Sequence, residues 1–197
     1  MGSIILVTGV AGVGKTSLGS ALARRLEARF IDLPEYVRKN KLYSSYDEEE
    51  QAYLIDLRRV SARIGAEAAR AREELVIASV YVFKPRRATI RYVIVLRLRP
   101  DRLIQILLDR GYPPRKVAEN VSAELVDQPL HEALRFGHEK VIQIDVTGRD
   151  LEMLAEKIAE GITGGEAEKL SVEVNWISEL EKIGRLDYVL NFLSKHG

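Results

Sequence analysis

Apolar positions along the chain recur in two rhythms, short continuous runs and a helical three-to-four spacing, and the two alternate from the N-terminus onward. Residues 3–8, with Ile4, Ile5, Leu6 and Val7 in unbroken succession, read as a strand buried on both faces. A helix follows over residues 15–28, where Leu18, Ala21, Leu22 and Leu26 share a face. Residues 30–33 form a short second strand that ends at Asp32, just before a Pro34 able to open a helix in its first turn. From Asp47 the spacing predicts a long helix: Asp47 and Glu50 stand in capping-box register, and Tyr53, Leu57, Val60, Ile64, Ala68 and Ala71 continue it. Residues 75–83 and 92–98, rich in valine and isoleucine, are two further buried strands. Pro100 opens a helix to Arg110, Gly111-Tyr112-Pro113-Pro114 interrupts it, and a second helical pattern spans 115–136 with a bend at Pro129. Residues 140–146 are the fifth strand, and Asp150 caps a helix carrying Leu151, Leu154, Ile158 and Ile162.

Strands alternating with helices imply a three-layer α/β domain around a parallel sheet joined by right-handed crossovers. It closes near Ile162, giving a first domain over 1–163. Gly164-Gly165 breaks the chain, and 164–197 is a helical extension with amphipathic segments over 172–183 and 186–196. Their stripes, among them Val174, Ile177, Leu180, Ile183, Leu186, Val189, Leu190 and Leu193, need a covering surface, and packing back on the same chain is expected.

Composition narrows the chemistry. The 197 residues carry 46% hydrophobic and 30% charged side chains, as a globular protein does, and the net charge of +1 supplies no global field for nucleic acid. The absence of cysteine excludes disulfides, thiolate metal sites and cysteine nucleophiles. No apolar run approaches the length of a membrane span, so no membrane partner and a cytoplasmic location are expected. His131, His138 and His196 lack ligand spacing, and no metal is assigned to them.

The decisive motif is Gly9-Val10-Ala11-Gly12-Val13-Gly14-Lys15-Thr16, which fits G-x-x-x-x-G-K-[ST] at every fixed position between a strand and a helix. Its glycines let successive N–H groups turn inward onto phosphate oxygens at a helix N-terminus. Gly9, Gly12, Val13, Gly14, Lys15, Thr16 and Ser17 are therefore candidate ATP-binding residues. Lys15 reaches the outer phosphates, and the Thr16 hydroxyl is placed to ligate Mg²⁺. No N-K-x-D guanine motif occurs.

Beyond the loop, the chain resembles the adenylate kinase isoenzyme 6 family, the coilin-interacting nuclear ATPases and their archaeal relatives. The resemblance covers about residues 4–162. It rests on the loop, on Tyr36-Val37-Arg38 leading to Tyr43-Ser44-Ser45-Tyr46-Asp47-Glu48-Glu49, and on Arg110-Gly111-Tyr112 with Lys116 and Glu119-Asn120-Val121-Ser122-Ala123-Glu124. It implies a P-loop fold with five parallel strands in the order 2-3-1-4-5, a monophosphate-binding region at about 32–55, a short lid at about 109–119 and the C-terminal helical pair outside the matched part. It also implies adenylate kinase and ATPase activity with ATP and Mg²⁺, AMP or another nucleoside monophosphate as acceptor, and a role in small-ribosomal-subunit maturation with a ribosomal protein and rRNA as partners. Within it, Lys15, Arg38 and Arg110 are the candidate catalytic cations, Arg38 gripping the acceptor phosphate and Arg110 closing from the lid over ATP. Tyr112 or Lys116 would seal the adenine side.

One departure matters. The family ends its third strand with Asp-x-His, and here Ala78 and Val80 stand at those positions. No acid occurs between Leu75 and Pro100, so Asp32, at a neighbouring strand end, is the candidate Mg²⁺ residue beside Thr16, with Glu35 behind it. Reduced turnover is expected. Two other readings stay open: a nucleotide-responsive assembly factor with little catalysis, and a small-metabolite kinase in which Asp32 acts as base. Lys84, Arg86, Arg87 and Arg91, interleaved with Tyr81, Phe83 and Tyr92, form a basic cluster that suits the acceptor nucleotide, rRNA or solvent.

Overall fold

A computed structural model describes residues 2–47, 52–137 and 140–197. Five strands, β1 (Gly2–Thr8), β2 (Arg29–Asp32), β5 (Leu75–Ala78), β6 (Ala88–Arg97) and β7 (Val141–Asp145), build a parallel sheet in the order β2-β5-β1-β6-β7. Counted among the sheet strands alone this is 2-3-1-4-5, the expected topology. Two further strands, β3 (Tyr43–Asp47) and β4 (Ala52–Ile55), pair antiparallel outside it.

Alternation along β1 assigns the two faces. Ile5 and Val7 join the apolar cluster of α1 (Lys15–Arg25), α4 (Pro100–Asp109), α5 (Pro114–Leu125) and α7 (Leu151–Gly164). Ile4 and Leu6 face α2 (Leu33–Asn40), α3 (Leu57–Arg70) and α6 (Gln128–Ala133). Successive strand side chains point to opposite faces, so a continuous apolar run serves both layers. The layers close tightly at α3: a Cβ on Gly65 would lie 1.7 Å from the Arg86 carbonyl oxygen.

Apart from β6, which starts at Ala88 rather than residue 92, four elements differ from the sequence pattern. The helix expected from Asp47 starts ten residues later, at Leu57, where the Asp56 carboxylate accepts from the N–H groups of Arg58 and Arg59, each at 3.1 Å. Asp47 ends β3 instead, and Glu48, Glu49 and Glu50 lie outside the described residues. Tyr43 and Tyr46 lie 4.4 and 5.0 Å, centroid to centroid, from Tyr53 across the hairpin, and such cross-strand aromatic pairing outweighs helical spacing. The third strand ends at Ala78 rather than residue 83, because Ser79 Oγ accepts the Tyr81 N–H and folds the chain out of the sheet. At Pro129 the predicted bend is a full break: Asp127 is left-handed (φ 55°), and α6 starts afresh. The first C-terminal helix shortens to α8 (Trp176–Lys182), capped by Asn175, ahead of α9 (Leu186–His196).

Both C-terminal helices pack on the same chain. Leu180 and Val189 are fully buried in the cluster of α4 and α5, while Ile177, Ile183 and Leu190 stay exposed. Among the described residues no helix is long and apolar enough to cross a membrane.

Candidate active site

The loop between β1 and α1 is held open by its glycines. Gly9, Gly12 and Gly14 have φ of 138°, 88° and 94°, and a Cβ on Gly9 would come within 2.6 Å of the Leu96 carbonyl oxygen. Any larger residue at Gly9 would push the loop off the sheet. Gly14 is also the N-cap of α1 and brings no capping side chain, so the first N–H groups of the helix remain directed at an incoming anion.

Lys15 folds back over the loop and donates to the Val10 carbonyl at 2.7 Å. Burial lowers its ammonium from 10.5 to about 8, against the pull of Asp32 and Glu124 and with the push of Arg110. The same electrostatics brings Asp32 and Arg110, from distant stretches of sequence, into the field of Lys15. Thr16 Oγ1 donates to Asp32 Oδ2 at 2.7 Å, while Asp32 Oδ1 caps α2 through the Glu35 N–H at 3.2 Å. A hydroxyl and a carboxylate this close are hard oxygen ligands suited to Mg²⁺, which takes few protein ligands and completes its shell with phosphate and water. Among the described residues no group of three or more His, Asp or Glu converges, so an all-protein cage is not formed. Val13 is buried, and Ser17 is exposed on the first turn of α1.

Ala78 lies directly across from Asp32 in the β2–β5 register and is buried, so the strand end beside the loop carries a methyl group and only one acid. Val80 is 40% exposed in the loop after it. Arg110 forms the C-cap of α4 and is exposed, with Gly111 left-handed (φ 76°) and the Tyr112 N–H bonded to the Leu107 carbonyl at 3.0 Å. Within 109–119, Val117 and Ala118 are fully buried, which leaves 109–116 as the part outside the core. Arg38 is exposed in the last turn of α2, about 9 Å along the helix from Asp32 at 1.5 Å per residue, and is not drawn in with the others.

Sequence reasoning missed what fastens the loop. The Ala11 N–H donates to Asn120 Oδ1 at 3.0 Å, and Asn120 Nδ2 donates to the Lys116 carbonyl at 2.8 Å. One turn further along α5, Glu124 is fully buried and accepts from Arg97 Nε at 2.8 Å and Trp176 Nε1 at 2.7 Å. Arg97, buried as well, reaches Gln143 at 2.9 Å and pairs with Asp127. Desolvation pushes the Glu124 carboxyl up while Arg97 and Trp176 draw it down. Asn120 and Glu124 both stand in the family segment quoted above; their spacing of four on one helical face was the available signal.

Residues 5–127 match the AAA domain family. A Methanocaldococcus jannaschii protein named "Putative adenylate kinase" is 37% identical over 158 residues, 80% of this chain and 85% of that protein. A Saccharolobus solfataricus protein of the same name is 36% identical over 91% of this chain and 95% of its own. The chain belongs to this adenylate kinase-like family. Among solved structures, shikimate kinases from Bacteroides thetaiotaomicron (22% identity, TM-score 0.50, 83% of this chain and 99% of that one) and Acinetobacter baumannii (20%, TM-score 0.50, 84% and 95%) share the P-loop kinase fold. At those identities the likeness carries the fold alone. Family membership and fold together place the chain among the ATP-dependent nucleotide kinases.

Proposed function

We propose that the protein transfers the γ-phosphoryl group of ATP to a nucleoside monophosphate, AMP foremost. The observation that carries this is the meeting of Lys15, Thr16 and Asp32 at the uncapped N-terminus of α1, with Arg110 close enough to bias Lys15. In phosphoryl transfer charge spreads over the equatorial oxygens, so catalysis consists mainly of positioning and cationic stabilisation. In this reading the loop N–H groups of 9–17 hold the phosphates, Lys15 leaves Val10 to meet them, and Arg110 closes from the lid at 109–119. Arg38, in a monophosphate-binding region at 32–55, takes the acceptor phosphate after closure brings it inward. Thr16 and Asp32 are the residues that would hold Mg²⁺, which when bound neutralises phosphate charge. Resemblance supports the finer reading, an isoenzyme 6-type cytoplasmic enzyme that also hydrolyses ATP and serves small-ribosomal-subunit maturation with a ribosomal protein and rRNA.

A second reading, a nucleotide-responsive assembly factor of weak turnover, is favoured by Ala78 and Val80 where the family has Asp and His. One assay separates them: ADP formation from ATP with each nucleoside monophosphate and with none. Transfer predicts ADP that rises with AMP. Equal ADP without acceptor leaves an ATPase, and none at all leaves the binding factor.

A further inference from the structure

Beside α6 lies a cavity of about 520 Å³ that none of the loop residues lines. Its walls mix two chemistries. Val82, Ile90 and Phe136 give it an apolar side, and Lys84, Arg135 and Lys140 bring three cations around it. No hydrogen bond or ion pair from those three side chains to another described residue occurs. Glu132 is the one acid among the lining residues, and it accepts from Gln128 at 3.3 Å. Three cations that no described acid pairs with repel one another around one concavity, and its apolar wall concentrates their field into it. An anion relieves that repulsion, and the apolar side buries a ring.

The cavity shares Glu132 with a smaller pocket lined by Gly9, Val10 and Ala11, but its apolar floor lies away from the phosphate loop. In the β1–β6 register Ile90 pairs with Ile4 and Val95 with Thr8, so five residues of β6 separate Ile90 from the strand end, about 17 Å at 3.3 Å per residue. Its volume falls in the roughly 300–1,000 Å³ range of small-molecule sites. We infer that this cavity is a second ligand site, for a molecule that carries a phosphate and an aromatic ring, a mononucleotide in chemical class. The phosphate lies among Lys84, Arg135 and Lys140, and the ring lies on Val82, Ile90 and Phe136.

The test keeps the catalytic centre filled. The full chain is saturated with P1,P5-di(adenosine-5′) pentaphosphate and titrated calorimetrically with uridine 5′-monophosphate, with uridine and inorganic phosphate as partial probes. One further site is expected for the nucleotide, with each partial probe at least tenfold weaker. Arg135→Ser, at an exposed position, and Lys140→Ser should each weaken it at least tenfold while pentaphosphate affinity stays unchanged, which also reports folding. No added heat on the saturated protein, or uridine monophosphate binding indifferent to both substitutions, overturns the inference. A protein that does not take the pentaphosphate counts against AMP transfer alone; the titration then runs without it, and the same two substitutions decide.

Discussion

Lys15 faces opposing demands, since a buried ammonium is disfavoured in the empty loop and required once phosphate arrives. Burial lowers it from 10.5 to about 8. Below pH 8 the free protein already holds the charge that a triphosphate needs. Above it, binding must take up a proton, so affinity for ATP should fall by up to tenfold per pH unit. A dissociation constant flat from pH 8 to 9.5, followed by fluorescence titration, would contradict this. Stability runs the other way: the unfolded chain holds the proton more tightly between pH 8 and 10.5, so the burial penalty on the nucleotide-free fold is full below 8 and lifts as pH rises toward 10.5. Asp32 is testable without losing the fold. Asparagine caps helices about as well as aspartate, so Asp32→Asn should keep α2 while cutting Mg²⁺-dependent turnover about ten- to a hundredfold. Turnover against Mg²⁺ concentration, alongside a circular-dichroism melt, checks both halves.

Element by element, α5 is the strut between the loop and the rest of the molecule. Asn120 holds Ala11, and Glu124 one turn on is held by Arg97 and Trp176. Among the described residues Glu124 Oε2 has no partner of its own, so the site has little tolerance for losing a donor. Trp176→Phe removes one of the hydrogen bonds to Oε1 in a fully buried setting. We expect a loss of about 1–3 kcal/mol, read as a melting temperature lower by about 2–4 °C for each kcal/mol in a chain of this size. An unchanged melt would mean that water or Arg97 takes over the vacated position.

For the whole molecule, the C-terminal helices complete the core of the kinase domain. Leu180 and Val189 are buried in the same cluster as Leu107, Val117 and Val121. Each such side chain contributes about 1.5–3 kcal/mol on burial, and Trp176 adds its bond to Glu124. Against a total stability of roughly 5–15 kcal/mol, a chain ending at Gly165 should melt at least about 10 °C lower or aggregate. A melt matching the full chain would show that α8 and α9 are dispensable.

The sequence by itself determined the strands of the parallel sheet and the phosphate loop with Lys15 and Thr16, because a continuous apolar run, a glycine spacing and a lysine-threonine pair each act through local geometry, while the strand order followed from the family resemblance. Asp32 was legible for the same reason, as a polar residue at the end of a buried strand. What only the tertiary structure decided depends on partners far apart in the chain. Tyr43 and Tyr46 meet Tyr53 and make a hairpin where spacing read helix. Asn120 finds Ala11 from 109 residues away, and Trp176 finds Glu124 from 52. Such bonds exist only after the layers close, when a buried polar group must be satisfied by whatever the fold has brought beside it.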